Sequence, residues 1–234
     1  MGFLNYNLHI LPETGRLKML PAAANHPAHL IEEKAALRRR LRQARAALLP
    51  AERVQAERKA NALLKRRIKR GGKIGLYWPV GKEMRLHDLL QTALRRGAQV
   101  YLPYIEPGKR RLWFTRYTAA KTQQRERRGS RSKLDIPQFA GNKIRVHCLD
   151  LLLVPLVGID RQGYRLGQAG GFYDATLAQM KHRRRVQTLG VGFACQMVDA
   201  LPREPHDLPL DGFVCERGCF RFKRGTHLKI DKFG

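Results

Sequence analysis

The sequence LLLVPLVGIDRQGYRLGQAGGFYDATLA, Leu151 to Ala178, decides the fold. Its first residues, Leu151 to Val157, form an apolar run that predicts a strand buried on both faces of a sheet. Residues 160–167 turn the chain, and a helical pattern begins at Phe172. Such a glycine-rich turn can bind an anion, because free backbone N–H groups face the ligand, and Asp174 could then orient a bound metal ion. The residues alone leave an ordinary strand-to-helix turn as an equal alternative.

Strands and helices alternate on both sides of this stretch. Strands are predicted at residues 73–80, 99–105, 111–117 and 186–193, and helices at residues 30–48, 51–69 and 86–96. The alternation predicts an α/β fold of three layers, with a mainly parallel sheet flanked by helices. Ligands of such sheets bind beyond the carboxyl ends of the strands. We therefore expect Trp78, Glu83, Pro103 and the glycine-rich turn to share one cleft.

Composition limits the classes of function. The 234 residues, 43% of them hydrophobic, suit one domain with tails, and no apolar run is long enough to span a membrane. Lys and Arg total 46 against 19 acidic residues, a net charge of +27. This excess predicts anionic partners such as nucleotide phosphates, polyglutamate tails, nucleic acid or an acidic membrane surface. The four cysteines show no paired metal-binding spacing, which favours a reduced, cytoplasmic protein.

The chain is expected to have one domain and two tails. Residues 1–29 predict a disordered or loosely attached extension, residues 30–218 the domain, and residues 219–234 a basic tail with little helical or strand pattern. Within the domain, residues 121–133 predict a mobile, basic loop. We favour a monomer.

Several motifs together resemble one enzyme family. They are K-x-x-x-R at Lys34 to Arg38, YLP at Tyr101 to Pro103, LDLLLVPLVGID-x-x-G-x-RLG-x-x-GGFYD at Leu149 to Asp174, and GFACQMV followed by LPREPHDLPLDGFV. Over residues 34–218 the chain resembles the 5-formyltetrahydrofolate cyclo-ligase family, whose members are also called 5,10-methenyltetrahydrofolate synthetases. The resemblance implies an α/β fold of the NagB/RpiA/CoA-transferase-like kind and a reaction that depends on ATP and Mg²⁺.

The implied reaction closes a ring on a reduced folate. The formyl oxygen on N5 takes the γ-phosphoryl group of ATP, N10 then closes on the activated carbon, and phosphate leaves. The products are 5,10-methenyltetrahydrofolate, ADP and phosphate. A formamide oxygen is a poor leaving group and its phosphate ester a good one, so the protein mainly aligns two ligands and neutralises phosphate charge.

The resemblance also implies roles by position. It assigns ATP binding to Lys34, Arg38, Arg165, Leu166, Gly167, Gln168, Ala169, Gly170, Gly171, Phe172 and Tyr173. It assigns folate binding to Arg38, Trp78, Glu83, Gln168 and Phe172, and Mg²⁺ association to Asp174 and Asp207. The structural alternatives are a helix-start carboxylate for Asp174, a turn residue for Asp207, a core aromatic for Trp78 and a plain surface residue for Glu83.

The chain departs from the family pattern at five positions. The family loop usually has the form G-R-G-x-G-Y-Y-D, whereas here Gln168 replaces the arginine, Ala169 the middle glycine and Phe172 the first tyrosine. Ile136 replaces an acidic residue before proline, and Leu86 a common threonine. These changes keep a catalytically weak folate- or nucleotide-binding relative as an alternative. A basic nucleic-acid-binding protein, with non-specific affinity that weakens with salt, is a third hypothesis.

Overall fold

The computed structural model describes residues 27–120, 125–126, 136–180, 186–222 and 229–231. Its helices are α1 (Pro27–Ala47), α2 (Pro50–Lys65), α3 (His87–Arg95) and α4 (Phe172–Ala178). The helices expected over residues 30–48, 51–69 and 86–96 are confirmed. Helix α1 begins three residues early, so residues 27–29 belong to it and not to the extension. Residues 1–26 and most of the predicted basic loop lie outside the described residues.

The strands are short and numerous. They are β1 (Lys73–Gly75), β2 (Gln99–Ile105), β3 (Leu112–Tyr117), β4 (Arg125–Glu126), β5 (Gln138–Phe139), β6 (Lys143–Ile144), β7 (Leu151–Pro155), β8 (Gly158–Asp160), β9 (Arg165–Leu166), β10 (Gln187–Val191), β11 (Met197–Val198), β12 (Gly212–Cys215), β13 (Gly218–Arg221) and β14 (Lys229–Asp231). Single 3₁₀ turns occur at Val146–Cys148 and Ala194–Gln196.

Nine of these strands form one sheet in the order β14-β13-β12-β10-β7-β1-β2-β3-β6. The five central strands, from β12 to β2, are parallel, and two antiparallel strands extend each edge. This arrangement confirms the predicted α/β fold with a mainly parallel sheet. No helix in the described part of the chain is long and apolar enough to cross a membrane.

Strand β7 shows how the sheet divides the core. Leu151 and Leu153 point into one apolar cluster, with buried residues of α2 and α3. Leu152 and Val154 point into a second cluster on the opposite face, which contains Leu177 of α4. Successive side chains of a strand alternate between its faces, so a wholly apolar strand requires cover on both sides. The helices provide that cover, and three layers result.

Three predicted strands are shorter in the structure than in the sequence pattern by two residues or more, and one of them, residues 186–193, is a strand only at β10. The run over residues 73–80 forms a strand only at β1, and its last ladder bond is donated by the Leu76 N–H to the carbonyl of Tyr101 at 2.9 Å. Pro79 has no N–H to donate, and the Tyr77 hydroxyl donates to the Met84 carbonyl at 2.7 Å, which closes a loop instead. The run over residues 151–157 pairs with neighbouring strands of the main sheet only as far as Pro155.

The expectation of a tail without strand pattern is wrong. Strand β13 pairs antiparallel with β12, and β14 pairs with β13, so part of residues 219–234 extends the main sheet. The cause is apolar burial: Cys219, Phe220 and Phe222 are each at most 9% exposed. The Phe220 ring stacks on Phe213 with centroids 6.3 Å apart. A hairpin with a hydrophobic face is a more stable arrangement than a solvated tail.

A small second sheet, in the order β11-β8-β9, carries the chain from β7 to the glycine-rich turn. The turn therefore follows a β-hairpin rather than the buried strand itself, which corrects the simple strand-turn-helix prediction. The buried amide of Gln196 fixes this connection. Its Nε2 donates to the carbonyls of Leu156 at 2.8 Å and Val157 at 2.9 Å, and its Oε1 accepts from the Phe193 N–H at 2.9 Å.

Replacing Gln196 by leucine should strongly destabilise the protein. Gln196 is 1% exposed, and the substitution leaves two carbonyls and one N–H buried without partners. At roughly 1–3 kcal/mol each, the free energy of unfolding should fall by at least about 3 kcal/mol in urea titrations. Gln55→Leu, on the exposed surface of α2, is the control and should shift it by less than about 0.5 kcal/mol. A loss below 1 kcal/mol for Gln196→Leu would contradict this role.

Candidate active site

A cavity of about 500 Å³ lies at the carboxyl ends of the central strands. Its wall combines the end of α1, the loop after β1, parts of β2 and β3, and the glycine-rich turn with the start of α4. Of the residues predicted to bind ligands, those lining it are Trp78, Glu83, Arg165, Gly167, Gln168, Gly170, Gly171, Phe172, Tyr173 and Asp174. The structure thus brings the predicted nucleotide and folate positions together. Lys34, Arg38, Leu166, Ala169 and Asp207 do not line this cavity.

The glycine-rich turn adopts a strained backbone. Gly171 precedes α4 with φ 66°, and Ala169 has φ 80°. Both values lie in the left-handed region, which costs about 1–2 kcal/mol for a residue with a Cβ. Gly170 also has little room for a side chain, since a Cβ there would lie 2.9 Å from the Phe172 ring. The backbone at Ala169 therefore has the conformation for which the family pattern uses glycine.

Two cations of α1, one helical turn apart, contact the glycine-rich turn and a nearby acidic loop. Arg38 donates through Nε to the Gly167 carbonyl at 2.9 Å. Lys34 lies one turn earlier, and its Nζ contacts Glu204 Oε2 at 2.6 Å and Asp207 Oδ2 at 3.2 Å. Burial lowers the pKa of Arg38, and the charge of Arg42 lowers it further. Concentrated positive charge of this kind favours an anionic ligand.

Arg165 and Asp174 form an ion pair in the cavity wall. Arg165 Nη2 and Asp174 Oδ1 are 2.6 Å apart, and the Arg165 side chain is 3% exposed. Burial lowers the pKa of Arg165, while the negative charges of Asp174 and Asp207 act to raise it. Both predicted metal-associated carboxylates therefore act on the same guanidinium. Asp207 also keeps its local turn role, because its Oδ2 accepts from the Glu204 N–H at 2.8 Å.

Glu83 is a buried carboxylate, so the plain-surface alternative is wrong. It is 6% exposed, and its Oε2 accepts from the Val80 N–H at 3.0 Å. Its Oε1 accepts from Nε2 of Gln168 at 3.1 Å. Trp78 is half-buried and both lines the cavity and packs against the core, so the core alternative describes only part of its position. A carboxylate beside an aromatic ring suits a flat, hydrogen-bonding ligand.

Three buried polar atoms in the cavity wall have no hydrogen-bond partner among the described residues. They are Nε of Arg45, Nε of Arg165 and the hydroxyl of Tyr173. Burial raises the pKa of Tyr173, and the nearby Glu83 charge raises it further, so the phenol is protonated at neutral pH and can donate. Unsatisfied buried polar groups are costly unless something else binds them. Their position indicates a polar ligand in this cavity.

Arg42 and Arg45 line the cavity, although neither was among the predicted ligand-binding residues. Arg42 extends the four-residue spacing of Lys34 and Arg38 by one more turn, so the helical period could have identified it. Arg45 shares the helical spacing of Lys34 and Arg38, but its burial could not be expected, because 6% exposure is unusual for arginine. Of the departures from the family pattern, Ile136 lines the cavity while Leu86 is 3% exposed in the core. Leu86 therefore replaces a polar residue without lining the cavity.

Comparison with known proteins agrees with these features. The family model described as the 5-formyltetrahydrofolate cyclo-ligase family matches residues 30–216. A 5-formyltetrahydrofolate cyclo-ligase of Haemophilus influenzae is 32% identical over 186 residues, which cover 76% of this chain and 95% of that protein. The Escherichia coli K12 enzyme of the same name is 36% identical over 134 residues, which cover 56% of this chain and 71% of that protein.

A solved structure supports the same fold. The 5,10-methenyltetrahydrofolate synthetase of Aquifex aeolicus superposes with a TM-score of 0.65 at 25% sequence identity. The match covers 85% of this chain and 97% of that one.

Replacing Ala169 by glycine should stabilise the protein. The left-handed backbone at φ 80° costs about 1–2 kcal/mol with a Cβ, and glycine removes this cost. Glycine also loses more conformational entropy on folding, which offsets roughly 0.5–1 kcal/mol of the gain. We expect the free energy of unfolding to rise by about 0.5–1 kcal/mol. Ala36→Gly, at an exposed position inside α1, is the matched control and should lower it by about 1 kcal/mol. Equal signs for the two substitutions would contradict strain at Ala169.

Proposed function

The chain belongs to the 5-formyltetrahydrofolate cyclo-ligase family, and we propose that its cavity aligns 5-formyltetrahydrofolate with ATP for ring closure to 5,10-methenyltetrahydrofolate. The family assignment made from the motifs is confirmed, and with it the ligase class. We assign the reaction to the domain of residues 30–218, whose sheet continues through β13 to the edge strand β14.

One observation carries the proposal. The residues that the resemblance assigns to nucleotide and to folate come from separate parts of the chain, and most of them line a single cavity. Trp78 and Glu83 are about ninety residues from the glycine-rich turn in sequence, yet Glu83 and Gln168 share a hydrogen bond of 3.1 Å. An ordinary strand-to-helix turn gives no reason for these residue types to meet.

The chemistry balances with ATP as the second substrate. The formyl oxygen attacks the γ-phosphorus of ATP, the bond between that phosphorus and the β,γ-bridging oxygen breaks, and ADP leaves. The N10 electron pair then attacks the activated carbon, N10 loses its proton, and the carbon–oxygen bond breaks to release phosphate. No oxidant or reductant is needed. Positioning and charge neutralisation supply most of the rate acceleration in such transfers.

Helix α1 and the glycine-rich turn are suited to the triphosphate. Arg38 is already bonded to the turn at Gly167, and Lys34 lies one helical turn away. The orphaned Nε of Arg165 provides a further donor in the cavity wall. Guanidinium and ammonium groups in such an arrangement neutralise phosphate oxygens by charge-assisted hydrogen bonds.

Asp174 and Asp207 fit a Mg²⁺ ion by chemistry. Both offer carboxylate oxygens, the hard ligands that Mg²⁺ prefers, and both now act on the buried Arg165. When bound, Mg²⁺ would neutralise charge on the nucleotide phosphates. Lys34 contacts Asp207 at 3.2 Å and Arg165 contacts Asp174 at 2.6 Å, so both carboxylates also have a cationic side chain beside them.

Trp78 and Glu83 are suited to the pterin. The Glu83 carboxylate can accept hydrogen bonds from ring N–H groups, while the indole packs on the ring face. Arg45 is buried beside them, and the Glu83 charge raises the Arg45 pKa that burial lowers. The positive charge of Arg45 therefore lies near the Glu83 carboxylate.

Further aspects of the proposal rest on the sequence. All four cysteines are free, which fits a reducing, cytoplasmic location. Non-specific nucleic-acid binding and a monomeric state stay predictions, the first from the charge of +27. A catalytically weak relative is the second candidate, favoured by the strain at Ala169 and by the apolar Ile136 in the cavity wall.

Purified protein mixed with 5-formyltetrahydrofolate, ATP and Mg²⁺ should produce the absorbance of the methenyl product. Omitting ATP or chelating the metal should abolish the signal, because the formyl oxygen then remains a poor leaving group. A protein that is thermally stabilised by both substrates without turnover would instead be the weak relative. Failure of either substrate to bind would contradict the proposed function altogether.

Glu83→Gln should separate the two substrate sites. The amide can keep the bond from Val80, but it loses the charge and places its NH2 opposite the Nε2 donor of Gln168. A hydrogen bond to a charged group is worth about 1.5–3 kcal/mol. We expect the KM for the folate to rise roughly 10- to 100-fold, and the KM for ATP to rise less, through the displaced Gln168 amide. Glu33→Gln, on the exposed side of α1, is the control for loss of one carboxylate. A larger effect on ATP than on folate would exclude the pterin role.

A further inference from the structure

Arg42 is the last of three cations placed at four-residue intervals along α1. Lys34, Arg38 and Arg42 therefore lie on one helix face. The first contacts Asp207 and Glu204, and the second bonds the carbonyl of Gly167. The third reaches the next residue of the same turn, and it alone of the three lines the cavity.

Gln168 holds the Arg42 guanidinium from the turn. Its Oε1 accepts from Nε of Arg42 at 3.1 Å and from Nη2 at 2.7 Å. Its Nε2 donates in the opposite direction, to Oε1 of Glu83 at 3.1 Å. The amide is thus oriented with its acceptor toward a cation and its donors toward a carboxylate.

Only a neutral amide satisfies both neighbours. An arginine at position 168 would pair with Glu83 but repel Arg42, and a glutamate would pair with Arg42 but repel Glu83. The identity of Gln168 and the position of Arg42 are consequently matched. The family pattern has an arginine at position 168, whereas here the positive charge beside this position belongs to Arg42 of α1.

The charge of Arg42 is left available to a ligand. Among the described residues it forms no ion pair with a carboxylate, whereas Lys34 and Arg165 do. Glu83 has Arg45 as its nearby opposite charge. Arg42 is also close enough to lower the pKa of Arg38, so two like charges are held together at the cavity rim. An anion between them would relieve that repulsion.

The position of Arg42 indicates which part of the bound substrates it would contact. Through Gln168 it borders the turn proposed for the triphosphate on one side and Glu83, proposed for the pterin, on the other. The γ-phosphoryl group would pass from ATP to the formyl oxygen between these two regions, where Gln168 and Arg42 lie. A fixed donor there would strengthen its contact as charge develops on the transferring group.

We propose that Arg42 binds the transferring γ-phosphoryl group of ATP, and that Gln168 positions its guanidinium for this contact. The inference rests on the proposed function, since it specifies which residue serves the phosphoryl group in that reaction.

Arg42→Ala should lower kcat/KM for ATP by on the order of 100-fold, the effect of removing one preorganised donor at a reacting oxygen. The KM for 5-formyltetrahydrofolate should change less than threefold. Arg42→Ala combined with Gln168→Arg should recover at least tenfold over Arg42→Ala alone, because the guanidinium is returned to the same junction. Arg39→Ala, an exposed arginine of the same helix, is the matched control and should stay within twofold of the original protein.

Equal melting temperatures of the original protein, Arg39→Ala, Arg42→Ala and the double variant would exclude an effect on folding. Equal activity of Arg42→Ala and Arg39→Ala, or no recovery in the double variant, would overturn the proposal. A starting protein without turnover would instead refute the proposed function, and calorimetry with ATP and Mg²⁺ then decides the inference. In that case Arg42→Ala should weaken the Kd for ATP about tenfold relative to Arg39→Ala, and equal Kd values would overturn it.

Discussion

Burial of β7 on both faces is the constraint on which the structure depends. The strand pairs in parallel with β1 on one side and β10 on the other, so its backbone groups are used within the sheet. Residues 151–154 are buried and apolar and contribute to both core clusters. Polar side chains that could contact a ligand therefore follow only after Pro155, in the small sheet and the glycine-rich turn. The cavity lies at that edge because the five parallel strands all end there.

The charges around the cavity are arranged in compensating contacts. Lys34 contacts Glu204 and Asp207, Arg165 contacts Asp174, and Gln168 lies between Arg42 and Glu83. A buried charge without a partner is costly, so the charged side chains around the cavity lie against opposite charges or a neutral amide.

The sequence predicts the parts of this design that depend on local pattern. The apolar run of β7 and the spacing of Lys34 and Arg38 predicted their elements, and the buried faces agree. Positions whose burial is unusual for their residue type, or depends on a distant partner, could not be recognised from the local sequence pattern. Arg45 is buried although arginine is rarely so, and Phe220 stabilises β13 through a partner, Phe213, that follows no local period. The early end of β1 was missed because it depends on a hydrogen bond donated by the Tyr77 hydroxyl.

The two departures in the glycine-rich turn differ in physical character. Gln168 has matched neighbours: its amide satisfies Arg42 and Glu83 together, whereas an arginine there would pair with Glu83 but repel Arg42. Ala169 has no such compensation, since its cost is a backbone dihedral that a neighbouring side chain does not relieve. The cost of about 1–2 kcal/mol is bearable beside a domain stability of about 5–15 kcal/mol. The positive charge beside Gln168 thus belongs to α1, whereas the strain at Ala169 stays in the backbone of the turn.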